Sequence, residues 1–312
     1  MTSPELGLDG RRPILLTGMP RSGTTWVGRI LAAGGEVGYI NEPFNLAVSP
    51  GSFRVPVAHW YAYVTTETEA EFLPALARGL RFDYPLAREL RRCRNRTDLH
   101  HTIRSWREFA RSRGRRPLVK EPHAVFSVEW FVERLGSDVV FMVRQPLAVV
   151  SSWKRLGWSF DFANLLDQTA LMRDWLSPFE PEMRAALSPS WTLVERVALL
   201  WKVVYSIVDD ERFPQVQLVR HEDLSAHPER RYADLFRTLD LAYTSDVAQA
   251  VRKSTAPGNP AEIRIERPHE TELDSKANLG NWRHRLTDDE VTRIRELTAD
   301  AAERFYPDLR WT

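Results

Sequence analysis

Two short stretches carry the residue types from which an anion site is built. Gly18 to Thr25 reads Gly-Met-Pro-Arg-Ser-Gly-Thr-Thr, a Gly-x-x-x-x-Gly frame whose glycines let backbone amides turn toward a bound phosphate or sulfate. Ser22, Thr24 and Thr25 add hydroxyl donors, and Arg21 adds a permanent cation. A cation beside a helix N-terminus is unfavourable unless an anion accompanies it, so Arg21 argues for an anionic ligand. Thr24 stands where nucleotide kinases and ATPases carry lysine, which sets this loop apart from an ordinary phosphate loop. The second stretch begins at Arg144, with Ser152 eight residues on. That spacing is two helical turns, so a guanidinium fork and a hydroxyl can face one anion.

These residues need strands and helices to hold them. Ile14 to Thr17 is a short apolar run between Pro13 and Gly18, which predicts a buried parallel strand. Trp26, Val27, Ile30 and Leu31 follow at helical spacing until Gly34-Gly35, giving strand, glycine-containing loop and helix. Val37 to Ile40 predicts a second strand, with Asn41-Glu42-Pro43 at its carboxyl end, where open α/β sheets place ligand-binding residues. Leu118-Val119 leads into Lys120-Glu121-Pro122, and a helix is expected over Val125 to Leu135. Val139 to Val143 is β-branched and apolar throughout, the clearest strand in the chain, and ends at Arg144. Further helices are expected over Glu67 to Leu80, from residue 147 to 156, and over Leu193 to Asp209 and His227 to Leu239, with a strand at Val216 to Val219. Thr287 and Glu290 have the spacing of a capping box opening a final helix to Phe305. The alternation predicts a single α/β domain over residues 1–312: a central, mostly parallel sheet flanked by helices, with helical insertions. Residues 1–12 are expected to be flexible, and 53–116 and 156–190 to be insertions on the acceptor side.

Arg21-Ser22-Gly23-Thr24-Thr25-Trp26 is similar to the 5′-phosphosulfate-binding loop of the sulfotransferases that use 3′-phosphoadenosine 5′-phosphosulfate. In that family a Lys or Arg sits at the Arg21 position beside the bridging oxygen; the Arg form also occurs in tyrosyl-protein and some carbohydrate sulfotransferases. The resemblance implies that Arg144 and Ser152 hold the donor's 3′-phosphate. Lys276 to Arg283 resembles the C-terminal segment that closes over the same phosphate, although only Lys276 transfers cleanly, because Ser275-Lys276-Ala277 replaces Arg-Lys-Gly. His221-Glu222-Asp223 stands where relatives often carry Tyr-Glu-Asp, which makes His221 a candidate nucleotide contact.

The implied reaction moves a sulfuryl group to a hydroxyl or amine of a carbohydrate or small-molecule acceptor, leaves adenosine 3′,5′-bisphosphate, and needs no metal. Such a transfer needs cations on the leaving phosphate and a base for the acceptor proton. Arg21, helped by Lys120, is the candidate for the first role. Glu42 is the first choice as base, because Asn41-Glu42-Pro43-Phe44 follows the second strand as a Glu-Pro element does in carbohydrate sulfotransferases. His123 is the rival: cytosolic relatives place a His two residues after a Lys, and here it is three after Lys120. A P-loop kinase or NTPase, or a non-catalytic nucleotide-binding protein, is the alternative reading.

Composition limits the remaining partners. Lys plus Arg number 43 against 42 Asp plus Glu, so no global field draws the chain to nucleic acid. Between Arg78 and Arg116, however, 13 arginines face 4 acidic residues, which is either a solvated face or a wall for an anionic donor or acceptor. Cys93 is the only cysteine, excluding an internal disulfide and a Cys-based zinc site. With no run of ~18 apolar residues and no apolar leader pattern, a cytoplasmic protein is expected. The oligomeric state is not legible.

Overall fold

The computed structural model describes residues 10–47, 50–208, 215–266 and 270–311. Five strands form one all-parallel sheet: β1 (Ile14–Thr17), β2 (Val37–Asn41), β3 (Arg116–Lys120), β4 (Asp138–Val143) and β5 (Val216–Arg220), in the order β2-β3-β1-β4-β5. The α-helices of eight or more residues among those described are α1 (Thr24–Ala33), α2 (Glu69–Leu80), α3 (Arg96–Ser112), α4 (Val128–Leu135), α5 (Pro146–Leu156), α6 (Leu193–Ser206), α7 (Pro228–Thr238), α8 (Ser245–Thr255) and α9 (Asp288–Glu303), and a 3₁₀ helix covers Ala277–His284. Shorter helical turns join them.

The inner strands are apolar without alternation because both faces are covered. Leu15, Val139, Phe141 and Val143 enter one core with residues of α2, α4, α5, α6 and α9. Ile14, Leu16, Val140 and Met142 enter the other with α1, α7 and α8. Neighbouring strands β1 and β4 therefore send their following helices, α1 and α5, to opposite faces of the sheet. Their carboxyl ends open a crevice of the kind in which open α/β sheets bind ligands. Gln168 and Asn164 accept from the amides of Tyr63 and Trp60, tying the two stretches expected as insertions to each other.

Several boundaries differ from the sequence expectation. The helix expected from Val125 begins as a 3₁₀ segment over Pro122–Ser127 and becomes α-helical at Val128. The cause is local: the Glu121 carboxylate caps the His123 amide, Pro122 opens the turn, and Ala124 leaves the helical region. β3 starts at Arg116, which donates to the Asp138 carboxylate and to the Arg12 carbonyl, so this arginine belongs to the sheet and not to a loop face. The expected end of α6 at Asp209, and residues 1–9 of the expected flexible segment, lie outside the described residues. The capping box at the last helix is present: Thr287 Oγ1 accepts from the Glu290 amide and Glu290 returns the bond. No helix among the described residues is long and apolar enough to cross a membrane.

Candidate active site

The loop between β1 and α1 is held by glycines no other residue replaces without strain. Gly18 has φ +127°, and a Cβ there would sit 2.3 Å from the Met142 carbonyl oxygen of β4. Gly23 has φ +105°, and its Cβ would meet His221 Nδ1 at 2.7 Å. Arg21 itself lies at φ 77°, a conformation that costs of order 1 kcal/mol for a non-glycine residue and points to a constrained loop.

The two candidate anion-binding stretches meet. Arg21 Nε donates to Ser152 Oγ at 3.1 Å, Arg144 Nη1 donates to the Arg21 carbonyl at 3.1 Å, and Trp153 Nε1 donates to the Pro20 carbonyl at 3.0 Å. Trp201 and Tyr205 of α6 donate to the carbonyls of Arg144 and Met142, fixing the end of β4 from behind. Arg21, Thr24, Thr25, Trp26, Arg144, Ser152 and His221 line one cavity with Gly23 and Arg285; Ser22 is buried under the loop.

Cations are crowded here. Burial first, then Arg144, Arg285 and Arg155, bring the Arg21 guanidinium down to about 10. Burial also lowers Arg144, with Glu222 opposing and Arg285 adding to the shift. The His221 imidazole falls well below its ordinary value through burial and the fields of Arg144 and Arg21. Arg144 Nε is buried without a hydrogen-bond partner among the described residues. Buried, mutually repelling guanidinium groups with an unanswered N–H are what a phosphate-bearing ligand would complete, so the residues present fit an adenosine carrying phosphates at both ends. The cavity measures 90 Å³, and Glu270, Thr271, Leu273, Ser275, Asn278 and Arg285 line one side of it.

Lys276 is not in this cavity. It is exposed and lines a neighbouring one with Gln145, Arg220 and Glu222. The reason lies one residue back: Ser275 turns inward and donates to the Ser225 carbonyl at 2.9 Å, which points Lys276 outward. Arg285, missed by sequence reading, supplies the tail's cation instead, partly answered by Glu262, which it shares with Arg155 and His284. Its only sequence signal is a basic residue at the end of the Asn-Trp-Arg-His-Arg run.

Of the candidate catalytic residues, Arg21, Glu42 and His123 line a second cavity of 570 Å³, which shares Arg21, Thr24 and Thr25 with the first; Lys120 lies outside its lining and reaches it through Glu42. Glu42 follows β2 at φ 46°. Its Oε1 accepts from Lys120 Nζ and its Oε2 from Asn45 Nδ2 at 2.6 Å. Burial would raise this carboxyl, but the Lys120 charge and the hydrogen bonds from Lys120 and Asn45 outweigh it and hold it below the ordinary value. Lys120, 1% exposed, is itself lowered by burial against the pull of Glu42. His123 also faces the cavity, between Trp60 and Tyr61. Its Nδ1 lies 3.0 Å from Glu121 Oε1, and Glu121 also accepts from the amides of His123 and Phe44. A carboxylate fed by two amides orders the ring with Nδ1–H donating and leaves Nε2 for the cavity. Glu121 was read in the sequence only as part of a strand end; its role depends on a contact with Phe44 that spacing does not reveal. Among the described residues no cluster of His, Cys, Asp and Glu could hold a metal ion.

Residues 13–245 match the sequence pattern described as the Sulfotransferase family. No curated protein sequence matches the chain significantly. Among solved structures, the chain is similar to a sulfotransferase domain from the curacin biosynthetic pathway, at 15% identity over 94% of this chain and 99% of that one, with a TM-score of 0.46. A sulfotransferase from Mycobacterium avium is 14% identical, covering 98% and 80%, with a TM-score of 0.44. A mouse sulfotransferase complexed with PAP is 13% identical, covering 96% and 89%, at 0.42. The assignment rests on the family match, which spans well over half of the chain and includes both anion-binding stretches: this chain belongs to the sulfotransferase family, enzymes that transfer a sulfuryl group from 3′-phosphoadenosine 5′-phosphosulfate.

Proposed function

We propose that this enzyme sulfates a hydroxyl, or an amine, of a carbohydrate or small-molecule acceptor, with all 312 residues acting as one domain and no metal taking part. The observation that carries the reading is the 3.1 Å contact between Arg21 and Ser152, which unites the two stretches at one wall shared by a cation-rich cavity and an aromatic one. In this reading the amides and hydroxyls from Ser22 to Thr25, with Trp26 alongside, hold the 5′-phosphosulfate. Arg144, Ser152 and His221 take the 3′-phosphate, with Arg285 in the place first given to Lys276.

The acceptor enters the aromatic cavity. Its oxygen forms the new S–O bond as the old S–O bond to the 5′-phosphate breaks; the electron pair leaves with the phosphate oxygen, beside Arg21 and Lys120. Glu42 takes the acceptor proton. Glu42 is ionised at neutral pH and faces the cavity, which supports this role, and Lys120 passes its attraction from Glu42 to the departing oxygen as Glu42 becomes neutral. A second reading is supported by the Glu121–His123 pair, in which an ordered imidazole offers Nε2 to the acceptor.

Thermal stabilisation by adenosine 3′,5′-bisphosphate, set against ATP with magnesium, tests the donor side, and transfer of labelled sulfate to acceptor panels tests the rest. Stabilisation by ATP alone would replace this reading with a kinase or NTPase. Stabilisation by the bisphosphate without transfer to any acceptor class would leave a nucleotide-binding protein.

A further inference from the structure

A third cavity of 740 Å³ runs from Thr25 and Glu42 along the edge strand β2 to the arginine-rich helix α3. Thr25 lines this groove, the cation-rich cavity and the aromatic cavity, and Glu42 lines both the aromatic cavity and this groove, so the groove ends at the proposed point of transfer. Arg29, Arg104, Arg111 and Arg115 line it. Arg104 and Arg111 are two turns apart on α3, about 10 Å along one face. Apart from Glu42, which is engaged with Lys120, the groove's carboxylate is Glu108, 3.8 Å from Arg104. Among the described residues neither Arg111 nor Arg115 has a carboxylate partner, and both are exposed.

The aromatic cavity has the opposite character. Trp60 and Trp158 give it flat apolar faces, and its two carboxylates, Glu42 and Asp161, stand against Arg21 and, for Glu42, the paired Lys120, so it holds no excess of cations like that of the groove. Indole faces stack on sugar rings, and carboxylates accept from hydroxyls but repel anions. Negative charge on the acceptor therefore belongs in the groove and not in the cavity.

We propose that the acceptor is an acidic glycan: a neutral sugar presents its hydroxyl to Glu42 in the aromatic cavity, and adjoining uronate or sulfated residues lie along α3 and the turn after it, on Arg104, Arg111 and Arg115. This rests on the sulfotransferase reading of the same site. It gives the excess of arginine between residues 78 and 116 a specific task, the electrostatic capture and registration of a chain whose reacting unit is itself uncharged.

The test uses the full chain saturated with adenosine 3′,5′-bisphosphate for binding, and with the sulfate donor for turnover. The probes are a galacturonate tetramer capped by one galactose, its all-galactose counterpart, and a glutamate peptide of equal charge. The wild type should bind the acidic oligosaccharide at least roughly tenfold more tightly than the neutral one, with an advantage that shrinks as salt rises. The Arg111→Glu/Arg115→Glu variant, and a milder Arg111→Gln/Arg115→Gln variant, should collapse that ratio in binding and in kcat/KM while still being stabilised by the bisphosphate. Equal binding of the two oligosaccharides, or a ratio untouched by both variants, overturns the proposal. Tighter binding of the glutamate peptide than of the acidic oligosaccharide overturns the glycan assignment. Charge-dependent binding without transfer would support the groove while counting against the proposed reaction, so the two fail separately.

Discussion

Arg21 Nε donates to Ser152 Oγ at 3.1 Å across 131 residues of sequence, and Arg144 Nη1 reaches the carbonyl of the same Arg21. The loop after β1, the end of β4 and α5 thus form one wall, in which Arg144 is buried with an Nε that has no partner among the described residues. Arg144→Ala should weaken adenosine 3′,5′-bisphosphate binding by roughly 10- to 100-fold, the range for charge-assisted hydrogen bonds. Arg144→Lys should recover little of it, because a point charge does not reproduce the fork. Calorimetric titration of the bisphosphate checks both; an unchanged dissociation constant would remove Arg144 from the donor site.

Glu42 should be needed for turnover and not for donor binding. Glu42→Gln is expected to lower kcat by at least about 100-fold, the lower end for a general base, with bisphosphate affinity retained. Because Lys120 and Asn45 overcome the effect of burial and lower this carboxyl, the acid limb of the kcat profile should fall below the ordinary carboxylate range. Glu121→Gln serves as the comparison, since it disturbs the ordering of His123 and leaves Glu42 in place. If Glu121→Gln is the more damaging change and the acid limb lies near neutrality, an imidazole takes the proton.

What could be read in the sequence was what local physics decides. β1 and β4 are buried on both faces, so their composition alone identifies them; the glycines at 18 and 23 mark the loop because their backbone angles admit little else. The capping box at Thr287 and Glu290 closes within one turn and was equally visible. The unreadable parts depend on distant contacts. Whether Lys276 or Arg285 faces the cavity lined by Arg21 and Arg144 depends on a hydrogen bond from Ser275 to Ser225, fifty residues away. The pairing of Glu121 with both His123 and Phe44 joins two strand ends. That Arg104 and Arg111 of α3 share a groove with Glu42 appears only when the helix is laid against β2.

Gly18 couples the loop to the sheet. With φ at +127° and a Cβ position 2.3 Å from the Met142 carbonyl oxygen, Gly18→Ala must displace backbone, since the obstacle is not a flexible side chain. A loss of about 2 kcal/mol or more is expected from the strain and the clash together. Denaturant unfolding measures it, and bisphosphate binding should weaken as well, because the displaced loop carries Arg21. Stability within about 0.5 kcal/mol of wild type, the usual surface range, would show that the loop is not so constrained.

The Lys120–Glu42 pair makes the stability cost of losing Lys120 depend on pH. In the wild type the Glu42 carboxyl is held below its ordinary value, so its ionised form contributes stability above the ordinary carboxylate pKa, and this is lost as pH falls through the lower folded value. Lys120→Met removes the counter-ion but leaves Glu42 with a side chain only 14% exposed. Burial then dominates and raises the carboxyl, so the ionised form costs stability at neutral pH and the cost disappears as the group is protonated in acid. The variant should therefore be about 3 kcal/mol less stable than wild type at neutral pH, the low end for a broken buried pair, with the gap closing toward pH ~4. Adding Glu42→Gln should restore part of the loss, because no uncompensated charge remains. Denaturant melts of the three proteins at both pH values decide the matter: a gap that is constant with pH, or a double variant no better than Lys120→Met alone, would mean that Lys120 stabilises the fold by packing and that its charge is not what holds Glu42 ionised.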